Sequence, residues 1–102
     1  MKFHELKIKH CYLVDIARGI KTFELRKNDR DYQVGDLIRF IDERGADGIM
    51  LVSSDCKVKM VDYQVNENTL FRIVYVLKNV EEYGLNKDYC ILGIKRLKCE
   101  EV

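Results

Sequence analysis

Three charged side chains, at positions 21, 24 and 26, form the part of the sequence best suited to bind a ligand. The segment alternates between polar and apolar residues, which predicts a β-strand with Phe23 and Leu25 on one face and Glu24 and Arg26 on the other. With Phe23 and Leu25 facing the core, the charged pair faces outward or into a cleft, and Lys21 reaches the same space. Two cations beside a carboxylate suit a ligand with both anionic and amide-like groups. A cross-strand ladder of ion pairs is the alternative, and it needs no ligand.

The loop that follows this strand adds two more cations. Lys27 and Arg30 flank Asn28 and Asp29, and Asn and Asp are common in turns. The segment is therefore either a simple hairpin turn or a turn whose flanking cations bind a phosphate backbone.

One of the two histidines, His4, lies near the start of the chain between Phe3 and Leu6. A lone histidine in such a half-buried strand is more often a hydrogen-bonded structural residue than a base or a ligand contact. Both interpretations stay open at this point.

The elements that must position these residues are mostly strands. A helical pattern covers about 10–18 and ends at Gly19. Alternation or β-prone composition predicts strands at 3–8, 22–26, 37–41, 70–77 and 89–97, and a hairpin at 49–66. Short connections between strands favour an antiparallel or mixed sheet that closes into a barrel. We therefore expect a mainly β fold with one short helix (α+β), arranged as a barrel of about five to seven strands.

The length and charge of the chain limit its function. A chain of 102 residues fits one domain, 1–102, and the net charge of +1 argues against a polyelectrolyte role. Basic residues are concentrated in 18–30, whereas 41–67 is mainly acidic. The basic segment could bind a few phosphates, or it could be an ordinary solvated surface.

The four cysteines, at positions 11, 56, 90 and 99, lack the short spacing of a zinc or redox motif. We expect all four to be reduced, with Cys90 as a core thiol because it lies in an apolar run, and we expect no metal and no cofactor. The sequence contains neither an apolar stretch of membrane-spanning length nor the pattern of a signal peptide. Together with unpaired thiols, this predicts a cytoplasmic protein that does not enter a membrane.

The sequence also resembles a known family. The segment from Gly19 to Arg26 and the pair Gly35-Asp36 are similar to signatures of the ASCH domain family of the PUA-like superfamily. The string Lys-Thr-Phe-Glu-Leu-Arg-Lys-Asn-Asp-Arg, at 21–30, resembles a group of short bacterial and phage ASCH-like proteins of unknown function. Members of that group also end in a strand like the one led by Tyr89. The resemblance covers the first forty and the last thirty residues, and it leaves 44–68 uncovered.

This resemblance implies a PUA-like barrel with a cleft beside the helix and the strand that follows it. RNA or a nucleotide-like ligand is the expected partner. The expected site comprises Lys21, Glu24, Arg26, Lys27, Asn28, Arg30, His4 and Tyr89, the last as a possible stacking surface.

An enzymatic function is the main alternative. Some ASCH proteins are amidohydrolases that use a lysine and a threonine three residues later, but here the threonine position is Glu24 and Thr22 points away from Lys21. Other relatives have been proposed as ribonucleases, for which Lys21, Arg26 and His4 could stabilise a phosphate and transfer protons. A protein-interaction module is the third possibility. The sequence thus leaves open whether the protein is an enzyme.

Overall fold

The fold is one curled, five-stranded mixed sheet that carries a single α-helix in the part of the chain described. A computed structural model of the chain describes residues 1–43 and 69–97. The elements are β1 (Phe3–Ile8), α1 (His10–Ala17), β2 (Phe23–Lys27), β3 (Leu37–Asp42), β4 (Phe71–Leu77), a 3₁₀ turn (Glu81–Tyr83) and β5 (Tyr89–Arg96). The strand order is β1-β3-β4-β5-β2. The β1–β3 pair is parallel, and the other three pairs are antiparallel.

The inner face of the curled sheet packs against α1 and forms the core. Every second residue of β1 and β3 is buried, as expected for strands with one face on a core. The helix contributes its own apolar side, made of Leu13, Ile16 and Ala17. The strands supply the other buried apolar side chains, chiefly Leu6, Ile8, Ile38, Phe40, Phe71, Ile73, Cys90, Leu92 and Ile94.

The end of α1 determines where β2 begins. Gly19 has a φ of +76°, in the left-handed region that glycine adopts without steric cost. The backbone N–H groups of Ile20 and Lys21 then both donate to the carbonyl of Asp15, at 3.0 and 3.1 Å. This turn folds the chain back onto the helix end, and Lys21 consequently lies between α1 and β2.

The expected mainly β fold with one short helix is confirmed. The predicted helix at about 10–18 and the five strands predicted outside 49–66 correspond to observed elements, with bounds that differ by one or two residues. The expectation of a mixed sheet is also met, because β1 and β3 run parallel. The hairpin predicted at 49–66 lies outside the described residues.

The orientation of β2 differs from the expected one. Phe23 and Leu25 are 47% and 53% exposed, whereas Glu24 is 4% exposed on the inner face. The predicted alternation of side chains along β2 is correct. It specifies only that the apolar and charged side chains lie on opposite faces, and it does not identify the buried face. Glu24 can be buried because Lys21 and Arg26 are buried with it as partners, and the apolar pair consequently faces outward.

Candidate functional site

The two edge strands of the sheet, β1 and β2, are connected by arginine side chains. Arg26 donates from Nη1 to the carbonyl oxygen of Lys7, at 2.8 Å, and Arg30 donates from Nη1 to that of Glu5, at 3.1 Å. Lys7 and Glu5 are alternate residues of β1, so their carbonyl groups point toward the same edge. The sheet therefore curls until β1 and β2 face each other. We call this junction the seam.

Beside the seam, Glu24 accepts charge-assisted hydrogen bonds from two cations. Lys21 Nζ lies 2.6 Å from Glu24 Oε1, and Arg26 Nη1 lies 3.2 Å from Glu24 Oε2. The side chains of Lys21, Glu24 and Arg26 are 14%, 5% and 23% exposed. A carboxylate this deeply buried requires such partners, since an unpaired buried charge is strongly unfavourable. The cluster carries one net positive charge.

The cluster also reaches the surface around Lys21, whose side chain is less exposed than that of Arg26. Its ammonium nitrogen lies 5.2 Å from the centre of the Tyr12 ring and 5.1 Å from that of Phe23, distances typical of cation–π contacts. Tyr12, on α1, is 46% exposed, and Phe23, on β2, is 47% exposed. Two accessible aromatic rings therefore flank a cation between the helix and the strand. We call Tyr12, Lys21 and Phe23 the mouth.

On its inner side, the cluster continues into a buried polar network. The guanidinium of Arg26 interacts electrostatically with the hydroxyl of Tyr32, which is 2% exposed. The ring centre of Tyr32 lies 4.8 Å from that of His4. The Nε2 atom of His4 is 2.9 Å from Asp36 Oδ2, and both side chains are buried. A connected set of polar side chains therefore runs from the mouth into the barrel.

The pKa values in this network reflect burial and hydrogen bonding. Burial alone would raise the pKa of Asp36, but hydrogen bonds from His4 and from the backbone N–H groups of Lys2 and Gln33 lower it below its usual value. Burial raises the pKa of the Tyr32 hydroxyl, although the positive charge of Arg26 acts in the opposite direction. Asp36 is thus an anion that fixes the position of His4, and Tyr32 is a neutral phenol.

The eight residues predicted for the site fall into three groups. Lys21, Glu24 and Arg26 form the cluster, His4 joins it through Tyr32, and Arg30 reaches the same seam. Asn28 lies at the end of β2, where its backbone N–H donates to the carbonyl of Asp88 at 2.8 Å. Lys27 and Tyr89 are paired in register on the outer face of the sheet, away from the cluster. The reason is the two-residue period of β2, since Lys27 follows Arg26 and must point the other way.

The surroundings of His4 are those of a buried, hydrogen-bonded structural residue. It is 6% exposed, and its ring is held by Asp36 and packed beside Tyr32. A side chain in this position supports the wall of the seam and does not project into solvent. The hydrogen bond to Asp36 agrees with the structural interpretation of His4.

Three residues of the site were missed in the sequence. Tyr12 and Tyr32 were not among the expected site residues, and Asp36 was noted only as half of a glycine-aspartate pair. Tyr12 lies off the apolar side of α1, and this position was an available signal that its ring is accessible. For Tyr32, the sequence contains no comparable signal, because its partners come from β1 and β2.

A second buried carboxylate–histidine pair lies on α1 and β3. His10 Nδ1 is 2.7 Å from Asp42 Oδ2, and the Asp42 side chain is 1% exposed. His10 is the first residue of α1 and Asp42 is the last residue of β3, so this contact fixes the start of the helix against the sheet. We assign it a structural role.

Neither a metal cluster nor a membrane-spanning helix is found in residues 1–43 and 69–97. No three His, Cys, Asp or Glu side chains in these ranges are placed to hold a metal ion, and no helix there is both long and apolar enough to cross a membrane. Cys11 is an exposed free thiol, and Cys90 is a buried one, as expected. Burial raises the pKa of Cys90. Positions 56 and 99 lie outside the described residues.

A comparison with known protein families identifies a match. A protein-family model described as "Domain of unknown function (DUF3850)" matches residues 3–94, from the first residue of β1 into β5. No curated protein matches the chain.

Proposed function

The chain belongs to the family described as Domain of unknown function (DUF3850), and we propose that it binds RNA through one nucleotide held at the mouth. The observation that carries the proposal is the position of Lys21, a mostly buried cation between two half-exposed aromatic rings. An aromatic ring offers a stacking surface to any base, and a neighbouring ammonium group attracts phosphate. The same three features seldom serve stability alone, because solvent-exposed Tyr12 and Phe23 contribute little to a core.

The cations of the cluster have donors available for a ligand. An ammonium group has three N–H donors, and a guanidinium group has five. The contacts described for Lys21 use one donor, to Glu24. Those of Arg26 use two, to Glu24 and Lys7. The remaining donors of Lys21 lie beside two accessible aromatic rings, so a phosphate or a base carbonyl would bind there.

Glu24 has a positioning role in this proposal. Its carboxylate holds Lys21 Nζ and Arg26 Nη1 on opposite oxygens, at 2.6 and 3.2 Å, and so fixes two flexible side chains. Fixing these side chains before the ligand arrives lowers the entropy lost on binding. The carboxylate also partly neutralises the cluster, and this favours a single nucleotide unit over dense polyanions.

The family resemblance supports the same location. The expected ASCH-like cleft lies beside the helix and the strand that follows it, and the mouth includes one aromatic residue from α1 and one from β2. We therefore propose an ASCH-like, PUA-like domain in which the mouth is the ligand cleft. We also propose a cytoplasmic location, where RNA is available.

The test is a titration of fluorescently labelled single-stranded RNA and of single nucleotides, with parent protein and Lys21→Met. Methionine keeps the length of the side chain and removes the charge. We expect Lys21→Met to weaken both ligands by about tenfold or more, because a hydrogen bond to a charged group contributes about 1.5–3 kcal/mol. Measuring RNA length after incubation also detects turnover, which would favour the hydrolase alternative.

The matched control is Lys87→Met. Lys87 is an exposed lysine before β5, at the end of β2 opposite Lys21, and we expect its substitution to change affinity by less than twofold. Equal loss of affinity in the two variants would indicate nonspecific charge attraction. Parent protein that binds neither RNA nor nucleotides at low salt would contradict the proposal.

A further inference from the structure

The outer surface of β2, β5 and β4 presents side chains in registered rows. The alternation of these strands turns one set of residues outward, and strand pairing aligns the set across the sheet. We call this surface the outer face. Its rows are Arg72 with Lys95, Tyr75 with Gly93 and Phe23, Leu77 with Ile91 and Leu25, and Tyr89 with Lys27.

The apolar side chains of the outer face are unusually accessible. Phe23, Leu25, Tyr75 and Tyr89 are 47%, 53%, 62% and 37% exposed. Single exposed apolar residues are normal, but a contiguous group of them indicates a binding surface. Three of the four are aromatic, and each projects from a strand and not from a loop. The group is therefore a rigid arrangement of rings.

The charges at the two ends of the outer face indicate the nature of the partner. Arg72 and Lys95 are paired at one end, and Lys27 lies at the other, all three exposed. None of the four rows of paired positions described above contains Asp or Glu. A protein interface is usually depleted in lysine, whereas rings flanked by cations match the bases and phosphates of a nucleic acid.

Gly93 lies between two of the rings. It is paired with Phe23 on one side and with Tyr75 on the other, so the two aromatic residues lie about 10 Å apart, two strand spacings. A Cβ atom on Gly93 would lie 3.1 Å from the Cβ of Tyr75 and 3.6 Å from Cγ2 of Val74. A side chain at position 93 would therefore crowd the neighbouring strand, and glycine keeps the two aromatic residues free of an intervening side chain.

We propose that the outer face is a stacking platform for further nucleotides of the single-stranded RNA bound at the mouth. This inference rests on the proposed function, and Phe23 connects the two surfaces because it belongs to both. Tyr89 is four residues from Gly93 along β5, about 13 Å away. Stacked bases are only 3.4 Å apart, so the rings of the two rows contact different nucleotides of an unstacked strand. Double-stranded RNA does not expose its base faces and is excluded.

The test compares a labelled twelve-nucleotide RNA with a single nucleotide, using Tyr75→Ala and Tyr89→Ala. Both substitutions lie on exposed positions, so the variants should fold, and circular dichroism checks this. We expect each to weaken binding of the twelve-nucleotide RNA about fivefold or more, the lower end of the effect of losing one base stack. Binding of the single nucleotide at the mouth should change less than twofold. Tyr83→Ala is the matched control, because Tyr83 is an 85% exposed tyrosine in the 3₁₀ turn.

The outcomes separate the two proposals. If parent protein and both variants bind the long RNA equally well, the platform is refuted while the mouth proposal stands. If parent protein binds neither RNA nor the single nucleotide, the proposed function fails first. Sedimentation of the parent protein as a dimer that Tyr75→Ala dissociates would identify a second copy of the chain as the occupant, and it would overturn the platform.

Discussion

Replacing Glu24 with glutamine should destabilise the protein substantially. The carboxylate is 5% exposed and lies between cations that are 14% and 23% exposed, so the loss of its charge leaves Lys21 and Arg26 facing each other in a poorly solvated space. Breaking such a pair costs about 3–5 kcal/mol when it is fully buried. Partial exposure of the cations and the remaining acceptor of the amide reduce this to about 2–3 kcal/mol. The melting temperature should fall by about 10–20 °C.

The assay is urea unfolding followed by circular dichroism, with Glu5→Gln as the control. Glu5 makes an ion pair with Arg39 on the surface, with side chains 46% and 32% exposed, and such a pair contributes less than about 1 kcal/mol. Glu→Gln should therefore lower the free energy of unfolding at least twice as much at position 24 as at position 5. The slope of this free energy against urea concentration should be unchanged in both variants. Equal costs would refute the assignment of Glu24 as a buried centre of the cluster.

Three further predictions concern other residues. The pKa of Asp36 is lowered in the folded protein, so its ionised carboxylate stabilises the fold above about pH 4, the usual pKa of an Asp carboxyl in an unfolded chain. This stabilisation is lost as the pH falls further. Asp36→Asn should therefore reduce the pH dependence of the free energy of unfolding at acidic pH. Arg30→Ala should lower the slope of RNA affinity against salt concentration by about one unit, because one phosphate contact is lost. Brief treatment with iodoacetamide followed by peptide mapping should label Cys11 and leave Cys90 unmodified until the protein unfolds, because Cys90 is buried.

The elements of the fold were predictable because each is encoded locally. The apolar side of α1 recurs at helical spacing, and Gly19 supplies the left-handed residue that ends it. The strands are rich in β-branched and aromatic residues with a two-residue period. Both signals depend only on neighbouring residues, so they were sufficient for the helix and for five strands.

The faces and contacts were less predictable because they depend on distant residues. Alternation placed Glu24 opposite Phe23, but only pairing with Leu92 of β5 identifies the inner side. Tyr32 and Asp36 acquire their roles from His4, about thirty positions away along the chain. For the same reason Tyr89 was assigned to the cleft, whereas it lies on the other side of the sheet.

The most direct test of the account is a nuclear magnetic resonance titration of ¹⁵N-labelled protein with a single nucleotide and then with single-stranded RNA. Binding at the mouth predicts that the nucleotide shifts the backbone amide signals of Tyr12, Lys21 and Phe23 first. Lys21→Met should suppress these shifts, and the signals of the 3₁₀ turn at Glu81–Tyr83 should stay unchanged. Binding at the mouth would be contradicted by saturable shifts confined to amide signals of residues outside α1 and β2. It would also be contradicted if no amide signal shifts at millimolar nucleotide.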